Sequence, residues 1–224
     1  MLYESAFKID HLQRFKYASR GRRGPNPPKL QTDDEWWALG QHYGLATPLL
    51  DWTTSPFAAA FFAFEQEDGF KQTRYRAIWG LQTVKVLSAV ARTFEADKRE
   101  AAKIEKELRD QGIQRGDIAH SILWSKPQYQ VGFVRPLSDE NPRLVNQGGL
   151  FTKTPPEQTL DDWVKAHVPE NERSFVLVKM LVPTKERLKV LRMLNRMNIN
   201  QSTMFPDLGG AAQFCNMSAQ IEGY

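Results

Sequence analysis

The sequence predicts an α+β domain, a mixed sheet flanked by helices, and three observations carry that expectation. Helix-start signatures stand at Thr32 and at Ser55-Pro56. Apolar runs such as Arg76 to Gln82 and Ser174 to Val182 read as strands set among helical stretches, without strict alternation of polar residues. The 224 residues, 41% hydrophobic and 25% charged, have a globular balance that excludes a disordered or collagen-like chain and suits a single domain over 1–224.

In chain order, Tyr3 to about Ser19 is expected helical, with Phe7, Ile9, Leu12, Phe15 and Tyr17 among its apolar residues and Gly21 ending it. Met1 thus stands almost at the start of an element, which suggests a segment that usually precedes it. Thr32-Asp33-Asp34-Glu35 is a capping box, in which the threonine oxygen and the glutamate side chain each satisfy a backbone N–H left over at a helix start. Trp36, Leu39 and Tyr43 then share one face, and Gly44 supplies the stop. Leu49 to Trp52 reads as a short buried strand. Ser55 caps the following helix, and Pro56 sits at its first position, where a missing N–H costs nothing. That helix, FAAAFFAFE, is apolar nearly all round and is expected to be central and buried.

Arg76 to Gln82 reads as a strand and Glu95 to Gln111 as a charged helix, a solvated insertion at about 93–112 supported by Glu95/Arg99 and Glu105/Arg109. Short strands are expected at Ile118 to Trp124 and Val131 to Arg135, and a brief helix at Asp161 to Ala166. Ser174 to Val182 follows as a strand, then Lys185 to Met197 as a helix with Leu188, Leu191 and Leu194 facing inward. Phe205-Pro206-Asp207-Leu208 leads into a last helix.

Several function classes are disfavoured. The longest apolar run, Phe57 to Phe64, is far short of the about 20 residues a membrane helix needs, and the N-terminus lacks the pattern of a secretory signal. Cys215 is the only cysteine, so a disulfide framework or a cysteine-rich zinc site is excluded and a reducing cytoplasm is the expected home. His11, His42, His120 and His167 have no ligand-like spacing, and none of the common nucleotide-loop, zinc-protease or serine-hydrolase motifs occurs, so no metal is expected. The net charge of +4 permits contact with nucleic acid. The excess concentrates in Arg14, Lys16, Arg20, Arg22 and Arg23, which read either as a solvated loop or as a phosphate-contacting patch.

The stretch GQHYGLATPLLDWTTSPFAAAFFAFE is the most informative. It places His42, Tyr43, Thr47, Asp51, Trp52, Thr53, Thr54 and Ser55 between the end of one helix and the start of the next. Polar side chains delivered to a helix N-terminus tolerate an anion, because free N–H groups and the helix dipole point there. Histidine near its ordinary pKa suits acid/base work, though His42 equally suits a structural bond to a carbonyl. Asp51, between Leu50 and Trp52, reads as a buried carboxylate that must be paired or hydrogen-bonded. A second cluster, NPRLVNQGGLF, offers Arg143 and Gln147 as donors beside Gly148 and Gly149, which permit close backbone approach or positive φ; a plain glycine turn is its other reading.

QHYGLATPLLDWTTSPFAAAFFA resembles the hallmark of the FRG domain family. NPRLVNQGGLFT is similar to the family's Arg-x-x-x-Gln-x-Gly-x-Phe segment, and MFPDLGGAA to its closing motif, so the resemblance reaches from about Tyr3 to Ala212. The Phe-Arg-Gly motif normally lies well upstream of QHYG and is expected to precede this chain's first residue, and Pro48 stands where the family usually has arginine. The motif layout is similar to that of ADP-ribosyltransferases. It implies NAD as substrate, cleavage of the nicotinamide–ribose bond through an oxocarbenium-like transition state, and a toxin or phage-defence setting. On that resemblance His42, Asp51 and Gln147 are the expected catalytic residues, with Asp51 as the acid because a glutamine cannot act as a carboxylate base. Gln41, Tyr43, Thr47, Trp52, Thr53, Thr54 and Arg143 are expected to hold the nucleotide, Thr53 and Thr54 at its phosphates. The acceptor is expected to be a macromolecule, a nucleic acid or a protein. The alternative is a catalytically silent nucleotide- or nucleic-acid-binding module. A third reading makes His42, Asp51 and Gln147 a structural network, in which Asp51→Asn would lower stability markedly.

Overall fold

The computed structural model describes residues 2–67, 73–96, 131–134 and 146–224. The chain begins with α1 (Leu2–Ala18), whose Leu12 is buried. A proline-rich loop leads to α2 (Asp33–His42), which starts at the capping box: Thr32 Oγ1 accepts from Glu35 N at 3.2 Å, and Glu35 Oε2 accepts from Thr32 N at 3.0 Å. The buried face of α2 is Trp37, Ala38 and Gly40, one position away from the expected stripe of Trp36, Leu39 and Tyr43. Tyr43 is exposed, and Trp36 is covered only partly, by Phe15 and two cationic side chains.

β1 (Leu49–Thr53) feeds α3 (Pro56–Phe64), where Ser55 Oγ accepts from Ala58 N at 3.2 Å. The strand is half-open, since Leu50 and Asp51 are exposed, and α3 buries Ala58, Phe61 and Phe64 while Phe57 faces solvent. Two arginines satisfy carbonyls at its C-terminal end. Arg187 donates to Phe64 O and Glu65 O, each at 2.9 Å, and Arg76 donates to Ala63 O at 3.0 Å and Gln66 O at 2.9 Å.

β2 (Tyr75–Leu81) is followed by α4 (Thr83–Ala96), which sequence reading left without an element. Its Val86, Ala89 and Val90 recur at helical spacing and are buried. After it come β3 (Gly132–Val134), β4 (Gly149–Lys153), α5 (Leu160–His167), α6 (Glu170–Val176) and β5 (Leu177–Pro183). A short 3-10 turn at Thr184–Glu186 precedes α7 (Arg187–Arg196), and α8 (Gln201–Met204) and α9 (Leu208–Gln220) complete the chain. Ser174 to Val176 therefore belongs to α6, and the strand begins only at Leu177. On α7, Leu191 and Leu194 are buried as expected, whereas Leu188 is exposed. The charged helix and the strand expected at Glu95 to Gln111 and Ile118 to Trp124 lie outside the described residues, apart from Glu95 and Ala96 at the end of α4.

The α+β class is observed, but the described strands form two antiparallel sheets rather than one mixed sheet: β1-β4-β3 and β2-β5. Alternation along the first sheet divides the core. Trp52, Phe133 and Leu150 pack with Trp163 and Val164 of α5 and Val86 and Val90 of α4, while Leu49, Val134 and Phe151 meet Leu12, Trp37 and Ala38. A third cluster joins Ala58, Phe61 and Phe64 to Leu191, Leu194, Met204, Met217 and Ile221. Among the described residues no helix is long and apolar enough to cross a membrane.

α9 starts on Asp207, whose Oδ1 accepts from Gly210 N at 2.8 Å. A Cβ at Gly210 would lie 2.8 Å from Gln201 O and closer still to Phe205 O, both backbone atoms that cannot yield. Gly210→Ala should therefore destabilise the protein by about 3 kcal/mol in urea unfolding. Gly209→Ala, whose Cβ would meet only the Asp207 carboxylate at 3.1 Å, should cost much less.

Candidate functional site

The site is built where the end of α2, strand β1 and the turn before β4 converge. Gln41, in the last turn of α2, donates from Nε2 to Asp51 Oδ2 at 2.7 Å and more weakly to Leu49 O at 3.4 Å. Its Oε1 accepts from the Thr47 hydroxyl, which in turn accepts from Leu49 N at 3.2 Å. The amide is thereby fixed from both ends, and the Asp51 carboxylate is held in one orientation.

The turn before β4 is tied to the other end of β1. Thr53 Oγ1 donates to Gln147 O at 2.6 Å and accepts from Ser55 N at 3.0 Å, and Thr54 N donates to Gly148 O at 3.1 Å. Gly148 has φ +58°, and a Cβ there would meet Thr54 Oγ1 at 2.6 Å, so both the backbone conformation and the close approach require glycine. The Gln147 side chain donates from Nε2 to Met204 O at 2.9 Å, which draws the Phe205-Pro206-Asp207-Leu208 segment into the same junction.

These contacts frame a cavity of about 990 Å³, at the upper end of the roughly 300–1,000 Å³ usual for ligand sites. His42, Asp51 and Gln147 all line it, as do Gln41, Thr47, Trp52 and Thr53. Tyr43 and Thr54 are not on its wall. Tyr43 is 70% exposed and meets His42 edge-on, ring centroids 4.7 Å apart, while Thr54 is occupied by the Gly148 turn. Arg143 lies outside the described residues.

One expectation is corrected. Asp51 is open to the cavity rather than buried in an apolar strand. Protein packed around it still raises its pKa above the ordinary carboxylate value by desolvation, an effect partly offset by the Gln41 hydrogen bond. At the corner foreseen for phosphates, the start of α3, the Thr53 hydroxyl is engaged by Gln147 O and Ser55 N, and Ser55 caps its own helix.

Residues that sequence reading did not assign to the site complete the wall. Phe62 of α3, Trp79 of β2 and Phe205 add aromatic surface, and Asp161 adds a second carboxylate, itself paired with Lys165. Trp79 is an aromatic within a recognised strand, but only the packing of the two sheets reveals which way it points. No lysine or arginine occurs among the described lining residues, and no group of three or more described His, Cys, Asp or Glu side chains is placed to hold a metal ion.

The raised pKa of Asp51 has a definite sign for stability. Folding disfavours its charge, so this group favours the fold most below its unfolded pKa, and that contribution is lost as pH rises through the carboxylate range. Asp51→Asn should therefore melt at or slightly above the wild type at neutral pH, with the difference vanishing in acid. Thermal melts at several pH values check this. A marked loss of stability would favour the purely structural role.

No curated protein and no solved structure matches the chain. The family model of the FRG domain matches residues 2–72, which span α1 and the α2, β1 and α3 walls of the cavity, so that segment is similar to the FRG domain.

Proposed function

We propose that the cavity takes the nicotinamide–ribose half of NAD and that the protein is an ADP-ribosyltransferase-like enzyme with a macromolecular acceptor, in the toxin or phage-defence setting that its motifs suggest. The observation that carries this reading is the meeting of His42, Asp51 and Gln147 at one aromatic-walled cavity, with Asp51 held in place by Gln41.

The lining suits one half of NAD better than the other. Trp52, Trp79, Phe62 and Phe205 offer apolar faces for a flat ring, and the Asp51 carboxylate, with no cation among the described lining residues, favours a positively charged pyridinium, whereas Asp161 is paired with Lys165. The described walls offer no cationic partner for the pyrophosphate, which would sit toward the mouth. NAD supplies a ribose bonded to a cationic leaving group. Transfer breaks the bond from ribose C1 to the ring nitrogen and forms one from C1 to the acceptor. An ionised Asp51 would steady the positive charge that grows on the sugar or accept the acceptor's proton, and its raised pKa suits the second task. His42 would contact the ribose from the end of α2.

The silent-binder reading also has a specific observation behind it. On the motif resemblance Gln147 would stand near the place where transferases keep a glutamate, and its amide is already bonded to Met204 O. Such a residue can orient a ligand but cannot remove a proton.

Incubation with adenylate-labelled NAD and cell lysate should transfer label to a macromolecule. Asp51→Asn should lower both transfer and nicotinamide release by about 10²–10⁴-fold, and activity should fall in acid through a pKa above the ordinary Asp value of about 3.9. Calorimetric binding of NAD without release would establish the silent reading. Absence of both binding and release would overturn the two together.

A further inference from the structure

A second feature stands at the opposite end of α2. Between His11 and Thr32 the chain has Arg14, Lys16, Arg20, Arg22, Arg23 and Lys29 and no acidic residue. The carboxylates that the fold brings nearby are committed elsewhere. Asp10 pairs with Arg14 at 2.8 Å, Asp33 with Lys16 at 2.6 Å, and Asp34 with Lys153 of β4 at 2.7 Å. Glu35 accepts the Gln31 and Thr32 backbone N–H groups. Arg20, Arg22 and Lys29 remain exposed, with no carboxylate partner among the described residues.

The cations are also ordered against aromatic rings and carbonyls. The Arg20 guanidinium lies 4.4 Å from the ring centroid of Tyr17, itself 62% exposed. Arg23 lies 5.1 Å and Lys16 5.8 Å from the Trp36 centroid. Arg22 donates to Ala18 O, and Arg23 to Pro28 O at 2.6 Å. A merely solvated loop would leave such side chains splayed into water. Here the flat groups are preorganised, so holding them against a ligand costs little further side-chain entropy.

We propose that this corner, the end of α1, the loop to α2 and Trp36, docks single-stranded nucleic acid. Phosphates meet the uncompensated cations, and unstacked bases meet Tyr17 and the stacked guanidinium. An anionic membrane fits less well, because among the described residues Tyr17 is the only large hydrophobic side chain strongly exposed in this segment. A duplex fits less well because its bases are already stacked, leaving the aromatic surface unused. The inference does not depend on NAD chemistry, since it concerns binding at residues outside the cavity.

The test is fluorescence anisotropy of the full chain with a labelled oligo-dT, the matching duplex, and phosphatidylserine vesicles as a competitor. Wild type should bind the single strand at about 50 mM salt, with a log–log salt slope near −0.7 per phosphate neutralised. Arg20→Ala/Arg22→Ala should weaken binding tenfold or more and flatten the slope by about 1.4, since two contacts are lost. Tyr17→Ala should weaken binding with the slope unchanged. Circular dichroism and NAD titration of the same variants should match wild type, which separates failure here from failure of the cavity reading. Absence of binding at low salt, an unchanged double variant, tighter binding to duplex, or complete displacement by the vesicles would each overturn the proposal.

Discussion

The rest of the site depends on a single junction, in which the Thr53 hydroxyl holds the backbone of Gln147 and the Gln147 side chain holds the backbone of Met204. These bonds join segments 94 and 57 residues apart in sequence. Each uses a side chain to satisfy a carbonyl outside regular secondary structure or at a helix end, so losing one leaves a polar group near the core without a partner. The left-handed turn at Gly148 lets the two strands meet at Thr53 and Gly149, and the antiparallel register between β1 and β4 then runs on to Leu49 and Lys153. The cavity wall forms as a result. His42 reaches it only because α2 packs on the same sheet through Trp37 and Ala38, and Phe205 because Met204 is anchored beside Gln147.

Within that frame the polar groups are arranged unequally. Gln41 is bonded at both ends of its amide, whereas Asp51 receives one side-chain hydrogen bond and otherwise faces the cavity. A purely structural carboxylate would be expected to gain a cation or several N–H donors, and its pKa would then fall. Asp51 moves the other way, because the desolvation it suffers outweighs the single bond it accepts. An ionised group that the fold disfavours, oriented by a glutamine bonded at both ends of its amide, supports the functional reading over the purely structural one.

What the sequence disclosed follows the range of the forces involved. The Thr32 capping box and the Ser55-Pro56 start are local, made by side chains within three residues of the N–H they satisfy, and both stand in the structure. α4 was missed because its threonine and valines have strand propensity, although Val86, Ala89 and Val90 carry the helical period. Ser174 to Val176 looked like strand for the same reason, yet it completes a helical turn whose C-terminal N–H bonds back to Arg173 O. Leu188 and the Trp36 face of α2 were misassigned because an apolar stripe does not say which of two neighbouring rows the core takes. Trp79, Phe62 and Phe205 joined the cavity through contacts between sheets and helices that no local pattern encodes. Similarity to the FRG domain covers only the early segment, whereas the junction with Gln147 and Met204 lies beyond the matched residues and comes from the tertiary structure alone.

The two ends of α2 differ in charge in a way that bears on how a polymer and a nucleotide would share this molecule. From Asp33 to His42 the helix rises about 14 Å, a distance a few nucleotides of extended chain can cover. At its start, cations outnumber the carboxylates left to balance them. At its finish, no lysine or arginine is among the described residues of the cavity wall, where Asp161 is paired with Lys165 and Asp51 faces no cation of the wall. A polyanion is therefore attracted to the first end and repelled from the interior of the second, while a cationic pyridinium has the opposite preference. On the proposed reading, an acceptor strand held at the basic corner would lie within a few nucleotides' reach of the other end of α2. This segregation needs no movement of the protein, because both ends belong to one rigid helix whose length sets the distance between them.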